Sequence, residues 1–248
     1  KANPLLVRNL LTKDFNVRAG TNESWLTFEQ LNNTATFDIA ELKPRYAVGG
    51  VDLSSSVDLT AACIGFKLPG DDTIYFKHMY WLPEDLLEQR TQQDKIPYNI
   101  WCDMGLLRVT PGNTVHYKFV VDWFIEMQTE HDIYIPWIGY DSWSARYFVE
   151  SMTDYFGKES MVPVIQGKKT LSSPMKLLGA KLEAKKINYE NNPITRWCLS
   201  NTAVDIDKNN NIQPDKGSNQ RRRIDGVAAM LDCFVVMQDK EQDYVNLI

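Results

Sequence analysis

Three aspartates carry the clearest chemical signal in this sequence. Asp52 closes the run Tyr46–Val51, Asp141 closes the apolar run Ile133–Tyr140, and Asp225 stands beside Gly226 where the last long apolar stretch begins. Carboxylate oxygens are the ligands that hard divalent cations prefer. Projecting from three rigid elements onto one place, they can hold two Mg²⁺ or Mn²⁺ ions about 4 Å apart, one activating a water and the other stabilising a departing oxygen. That is the chemistry of phosphodiester hydrolysis. The paired Gly49 and Gly50 leave the strand before Asp52 open to close approach by a ligand or another backbone, which makes Asp52 the best candidate for a bridging ligand. Asp141 lies at the carboxyl end of a core strand, where open α/β sheets place ligands, and Gly226 lets a metal come close to the backbone at Asp225. Any one of these acids could simply cap a helix or a turn; their joint placement sets them apart. Asp232 and Asp58 are secondary candidates. Asp232 shares a helical face with Asp225 but lies roughly 10 Å further along the axis, and Asp58 sits in a turn or at a strand start, where turn formation or support of a ligand suffices.

Other chemistries fit less well. Gly167-Lys168-Lys169-Thr170 looks like the end of a phosphate-binding loop, but GxxxxGK[ST] requires a glycine where Val162 stands, so no ATPase is encoded. His78, His116 and His131 are scattered, none at metal-ligand spacing to another His or Cys, which disfavours both zinc and a serine-triad base. Cys63, Cys102, Cys198 and Cys233 lie far apart without a CxxC pair and read as buried free thiols. Ser54 to Ser56 are turn residues.

The elements that must position the three acids follow from hydrophobic periodicity. YAVGGVDLSSSVDLTAACIGF predicts two strands joined by a Ser-rich turn, and Thr73–Tyr80 a third after the turn Pro69-Gly70-Asp71-Asp72. Residues 84 to 112 are mixed. Val120, Trp123, Phe124 and Met127 form the stripe of a core-facing helix. A strand over 133–140 then leads to Asp141 and a helix with Ala145, Phe148, Met152 and Tyr155 on one face. The unit repeats as strand Met161–Ile165 and helix Ser172–Lys186, which implies a parallel portion of the sheet. Residues 196 to 216 read as a hairpin with a polar tip over 207–211. The last helix, Ile224 to about Met237, carries Ile224, Ala228, Leu231 and Val235 on one face. Residues 1 to 44 form a helical lead-in ending at Lys43-Pro44.

A chain of 248 residues can bury a proper core, and 44% hydrophobic with 24% charged residues is the composition of an ordinary globular protein. No apolar run reaches the roughly 18 residues that cross a bilayer, and the start is unlike a signal peptide; the expectation is an intracellular protein without membrane contact. The absence of an initial methionine suggests an excised piece of a longer chain. A net charge of −5 opposes a nucleic-acid partner by itself, yet basic residues gather over 168–186 and 221–223, leaving room for a locally basic face.

A three-strand meander followed by alternating helices and strands, with acids on the first strand, at the end of the fourth and on the last helix, is the layout of a ribonuclease H-like nuclease: an α/β fold with a mixed sheet flanked by helices and, here, an inserted β-hairpin. More narrowly, the sequence resembles the nuclease half of the terminase large subunit of tailed bacteriophages. The resemblance rests on VDLSSSVDLTA at 51–61, YWLPED at 80–85, IPYNIW and GLLRVTPGN between 96 and 113, IGYDSW at 138–143, QGKKTLSSPMKLL after 166, NPITRWCLSN at 192–201 and RRIDGVAAML at 222–231. It implies that Asp52, Asp141 and Asp225 are the catalytic metal ligands of an endonuclease cutting double-stranded concatemeric DNA with little sequence preference, in the host cytoplasm. It implies too that the hairpin lies beside the site and regulates access. Residues 1–44 would link an absent N-terminal ATPase half to a nuclease domain over 45–248, and the partners would be DNA, that ATPase half, the portal protein and the small terminase subunit. Lys168, Lys169, Lys176, Arg221, Arg222 and Arg223 are the candidates for gripping the DNA backbone; a solvated surface is the alternative for each. Two rivals stay open: another ribonuclease H-like nuclease of transposase, integrase or resolvase type, and a non-catalytic module docking on DNA or the portal.

Overall fold

The computed structural model describes residues 24–53, 59–142, 146–219 and 221–248. Two short helices, α1 (Phe28–Leu31) and α2 (Ile39–Leu42), precede the sheet, each opened by a side-chain cap, from Thr27 and Asp38. Strands β1 (Tyr46–Asp52), β2 (Thr60–Phe66) and β3 (Ile74–Pro83) then form the expected antiparallel meander. Helices α3 (Leu87–Asp94) and α4 (Tyr98–Asp103) lead to strand β4 (Leu107–Thr110), which pairs parallel to β3. Next come α5 (Lys118–His131), β5 (Tyr134–Asp141), α6 (Arg146–Phe156), β6 (Met161–Val164) and α7 (Lys168–Glu183). After the two-residue strand β7 (Ile187–Asn188) and helix α8 (Pro193–Asn201), β8 (Ala203–Ile206) and β9 (Ile212–Asp215) make a separate hairpin; α9 (Asp225–Asp239) and α10 (Glu241–Leu247) end the chain.

The main sheet runs β4-β3-β2-β1-β5-β6, with β7 on β3. Its central strands are buried on both faces, which is why YAVGGVD and TAACIGF read as almost continuous apolar runs. Side chains alternate between two cores. Val48, Ala61, Cys63, Phe76 and Tyr80 face α7, α8 and α9, while Ala47, Val51, Ala62, Ile64 and Trp81 face α5 and α6. Among the described residues no helix is long and apolar enough to cross a membrane.

Several expectations need correction. The hairpin is confined to 203–215, because Asn192 caps Ile194 and Thr195 and Pro193 stands at the first helical position, so 193–201 winds into α8. Helix α7 begins at Lys168 rather than Ser172 and takes Pro174 into its second turn. Tyr155 is 46% exposed although Phe148 and Met152 are buried. Nor is α9 amphipathic: Val227 and Ala229 to Met237 are all buried, since the sheet covers one side and α7 and α8 the other. The short strands β4 and β7 went unforeseen, being too brief for a period to register. Residues 1 to 23, Ser54 to Ser56, Asp58 and Ala145 lie outside the described residues.

Candidate metal centre

The positions of the three acids follow from strand register and pleat. Strands β1 and β5 are parallel neighbours with Val51 opposite Tyr140, so Asp52 and Asp141 end adjacent strands at the same edge, on backbones about 5 Å apart. Both leave the sheet on the α9 face. A Cβ on Gly50 would stand 2.2 Å from the Ala229 carbonyl oxygen, and one on Gly139 2.4 Å from that of Asp232. Side chains two residues further along share those directions, which aims Asp52 and Asp141 at the same helix.

Helix α9 runs antiparallel to β1. Gly65, which is paired with Val48, faces Cys233 and Met237, whereas Gly50 faces Ala229 and Cys233. Each step of two residues along the strand, about 6.6 Å, matches four residues of helix, about 6 Å. One further step brings Asp52 to the first turn of α9, where Asp225 is 5% exposed. The helix can lie so close only because Gly50, Gly65 and Gly139 lack side chains. Gly226 does the same for the helix: a Cβ there would stand 2.3 Å from the Tyr80 hydroxyl, itself 2.8 Å from Thr195 Oγ1.

Electrostatics agree with this placement. Burial pushes the Cys198 thiol pKa up, and the negative charges of Asp225 and Asp52 add to it against an opposing backbone bond from Gly226. On the other side, burial holds the Asp232 carboxyl well above the usual carboxylate range, with the Gln166 amide opposing and the charge of Asp141 adding. The Gln166 Nε2 donates to Asp232 Oδ1 at 3.0 Å. The Asp232 carboxyl is thus engaged by Gln166, whereas Asp52 and Asp141 are half-exposed and Asp225 is buried.

Register and helix seating thus bring Asp52, Asp141 and Asp225 to one end of the sheet and one face. Among the described residues no group of three or more His, Cys, Asp or Glu side chains stands close enough to hold a metal ion; strand register and the seating of α9 alone bring the three acids to the same end of the sheet. The donor set suits Mg²⁺ or Mn²⁺, which keep waters and substrate oxygens in their shell.

The basic candidates divide. Arg223 is 3% exposed and its Nε meets Asp94 Oδ2 at 3.1 Å, so it is an internal anchor and cannot grip DNA. Lys168 pairs with Asp205 at 2.7 Å, and Lys176 Nζ donates to the Asn210 carbonyl at 2.6 Å. Both tie α7 to the hairpin. Lys169 and Arg221 are exposed, and Arg222 is half-buried. Sequence reasoning missed the Asp94–Arg223 pair, whose partners lie 129 residues apart. It also missed Gly139, whose only signal was a glycine inside a strand.

A model of the family described as "Terminase large subunit, endonuclease domain" matches residues 1–241. The terminase large subunit of Enterobacteria phage HK97 is 32% identical over 188 residues, which are 75% of this chain and 36% of that protein. A crystal structure of the HK97 bacteriophage large terminase superposes with a TM-score of 0.73 at 26% identity, covering 94% of this chain and 48% of the other. The large terminase nuclease from thermophilic phage G20c with bound magnesium shares the fold, at a TM-score of 0.53 and 10% identity over 87% of this chain and 98% of that one. The chain thus spans between a third and a half of the HK97 protein, and its fold is the ribonuclease H-like mixed α/β sheet.

Proposed function

This chain belongs to the terminase large subunit endonuclease-domain family, and from that premise we propose that it is a metal-dependent endonuclease cutting double-stranded concatemeric viral DNA during genome packaging. The reading is supported by the strand register and helix seating that bring the positions of Asp52, Asp141 and Asp225 to one end of the sheet.

Asp52, Asp141 and Asp225 would hold two Mg²⁺ or Mn²⁺ ions, which when bound supply Lewis-acid activation of water and neutralisation of the leaving 3′ oxygen. Asp52, between the other two along the sheet and helix, is the bridging ligand. Asp225 is fixed in the first turn of α9 by the seating of Gly226 against Tyr80. Asp232 and Gln166 brace the helix behind the site. Lys169, Arg221 and Arg222 touch DNA phosphates rather than bases, so cutting has little sequence preference.

Residues 1–44 lead in from an ATPase half, the nuclease domain extends over 45–248, and the portal and small terminase subunit are partners in the host cytoplasm. The 203–215 hairpin, pinned to α7 through Lys168, Lys176 and the Ser172 hydroxyl, regulates access to the edge.

Plasmid cleavage by the chain with Mg²⁺, with Mn²⁺ and with EDTA tests the reading. Cutting with metal that disappears with EDTA and in Asp52→Asn is the expected result. Metal-independent cutting would overturn the metal-dependent reading, and no cutting with either metal would replace it with a non-catalytic docking module.

A further inference from the structure

A cationic cavity is built from the chain segment that leads into Asp225. It has a volume of about 400 Å³ and lies between the C-terminal end of α3 (Gln93, Asp94, Lys95), α8 (Trp197, Ser200, Asn201) and the segment with Asn219, Arg221 and Arg222. The acid in its lining, Asp94, is neutralised from behind: Arg223 Nε lies 3.1 Å away and the Tyr98 hydroxyl donates to it at 2.8 Å. Lys95, Arg221 and Arg222 therefore set the sign of the charge inside. The Nε of Arg222 is buried and meets no acceptor among the described residues, although a guanidinium N–H withdrawn from water ordinarily finds one.

The wall is shaped locally. The Asn219 side-chain oxygen accepts from the Arg221 backbone N–H at 3.1 Å and its carbonyl accepts from Arg222 N–H at 3.0 Å, a turn that presents both arginines. Asn201 Nδ2 donates to the Arg223 carbonyl at 3.1 Å and fastens that turn to α8. Arginine is the side chain whose planar fork matches phosphate oxygens in pairs. A cavity of this volume falls in the range that takes a nucleotide-sized group rather than a bare ion. Arg222 precedes Asp225 by three residues, at most about 10 Å of chain.

We propose that this cavity is a phosphate-binding pocket that takes a backbone phosphate of the DNA strand next to the one cut. The pocket fixes the register of the strand over Asp52, Asp141 and Asp225, and the buried Asp94–Arg223 pair holds its wall rigid. The proposal rests on the nuclease reading for the identity of the polymer; a free phosphate or mononucleotide offers the same chemistry.

The test is binding of a fluorescent DNA duplex by anisotropy across a salt series, in the Asp52→Asn background so that nothing is cut. Arg221→Gln alone, Arg222→Gln alone and both together are compared with Lys118→Gln, a substitution on α5 across the sheet. Each phosphate that a side chain neutralises adds about 0.9 to the slope of log affinity against log salt. The double variant is expected to show a slope shallower by one to two such steps and to bind several-fold more weakly at fixed salt, with an unchanged melting temperature, and Lys118→Gln to match the parent. Arg221 is exposed, so its single variant keeps the test valid if Arg222→Gln unfolds. An unchanged slope in Arg221→Gln and the double variant, or no duplex binding by the parent at low salt, overturns the proposal. Competition by inorganic phosphate or a mononucleotide that the arginine substitutions abolish, with the DNA slope unmoved, overturns the DNA assignment in favour of a free ligand. Failure of the wild-type chain to cut with metal would strike the nuclease reading alone, since the slope is measured without turnover.

Discussion

Replacing Gly139 by alanine should separate the geometry of the site from the stability of the fold. The new methyl would stand 2.4 Å from the Asp232 carbonyl oxygen, about 1 Å inside the 3.4 Å at which ordinary contact begins. Both partners are backbone, one in a central strand and one in α9, so no rotamer change relieves the overlap and the helix must lift by roughly that distance. Asp225 rides on the same helix while Asp141 stays with the strand. A displacement of about 1 Å in a catalytic constellation costs on the order of a hundredfold in rate, and overpacking of this kind costs about 1–3 kcal/mol, or a fall of roughly 2–12 °C in melting temperature for a chain of this size. Gly49→Ala is the control. Its methyl would press on Ile138 and Phe124 side chains on the opposite face, lowering the melting point without moving α9. Initial rates of metal-dependent plasmid cutting, taken well below both melting points, decide the matter. Full activity in Gly139→Ala, or equal losses in the two variants, would refute the reasoning that α9 is seated through Gly139 and carries Asp225 with it.

Other outcomes follow from named contacts. Asp52→Asn, Asp141→Asn and Asp225→Asn should each abolish cutting with the fold intact by circular dichroism, while Asp232→Asn costs less, because the Asp232 carboxyl is already engaged by Gln166. Asp94→Ala should lower stability by about 3–5 kcal/mol in urea unfolding, the usual effect of removing one partner of a buried ion pair, and should slow cutting, since Arg223 anchors the segment entering Asp225. Burial pushes the His78 pKa down to about 3 from 6.5. Its stabilising contribution is therefore complete above pH 6.5 and is lost as the pH falls towards 3, because the unfolded chain takes up a proton that the native state refuses. The loss is about 1.4 kcal/mol per pH unit, about 2 kcal/mol between pH 6.5 and 5, and denaturant midpoints of His78→Gln should show a correspondingly flatter pH dependence.

The meander and the β5–α6–β6–α7 alternation could be read from the sequence because long apolar runs and 3.6-residue stripes mark them directly, and with them the places of Asp52 and Asp141 at strand ends. What escaped depended on contacts distant in sequence. The closeness of α9 to the sheet is a joint property of Gly50, Gly65 and Gly139, and none of them announces its partner. Arg223 looked like part of a basic surface run, and only the fold brings Asp94 against it. The helix over 193–201 was hidden by aromatic and β-branched residues that suit a strand equally well, although Asn192-Pro193 was a cap signal in plain view.

The claim that Asp52, Asp141 and Asp225 form one metal centre is tested most directly by titrating Mn²⁺ into the wild-type chain and the three Asp→Asn variants by calorimetry. Two ions bound by the wild type, with weakened or abolished binding in every variant, is the predicted result. Unaltered Mn²⁺ binding in any of the three variants would contradict the assignment of that aspartate, and unaltered binding in all three would dissolve the site.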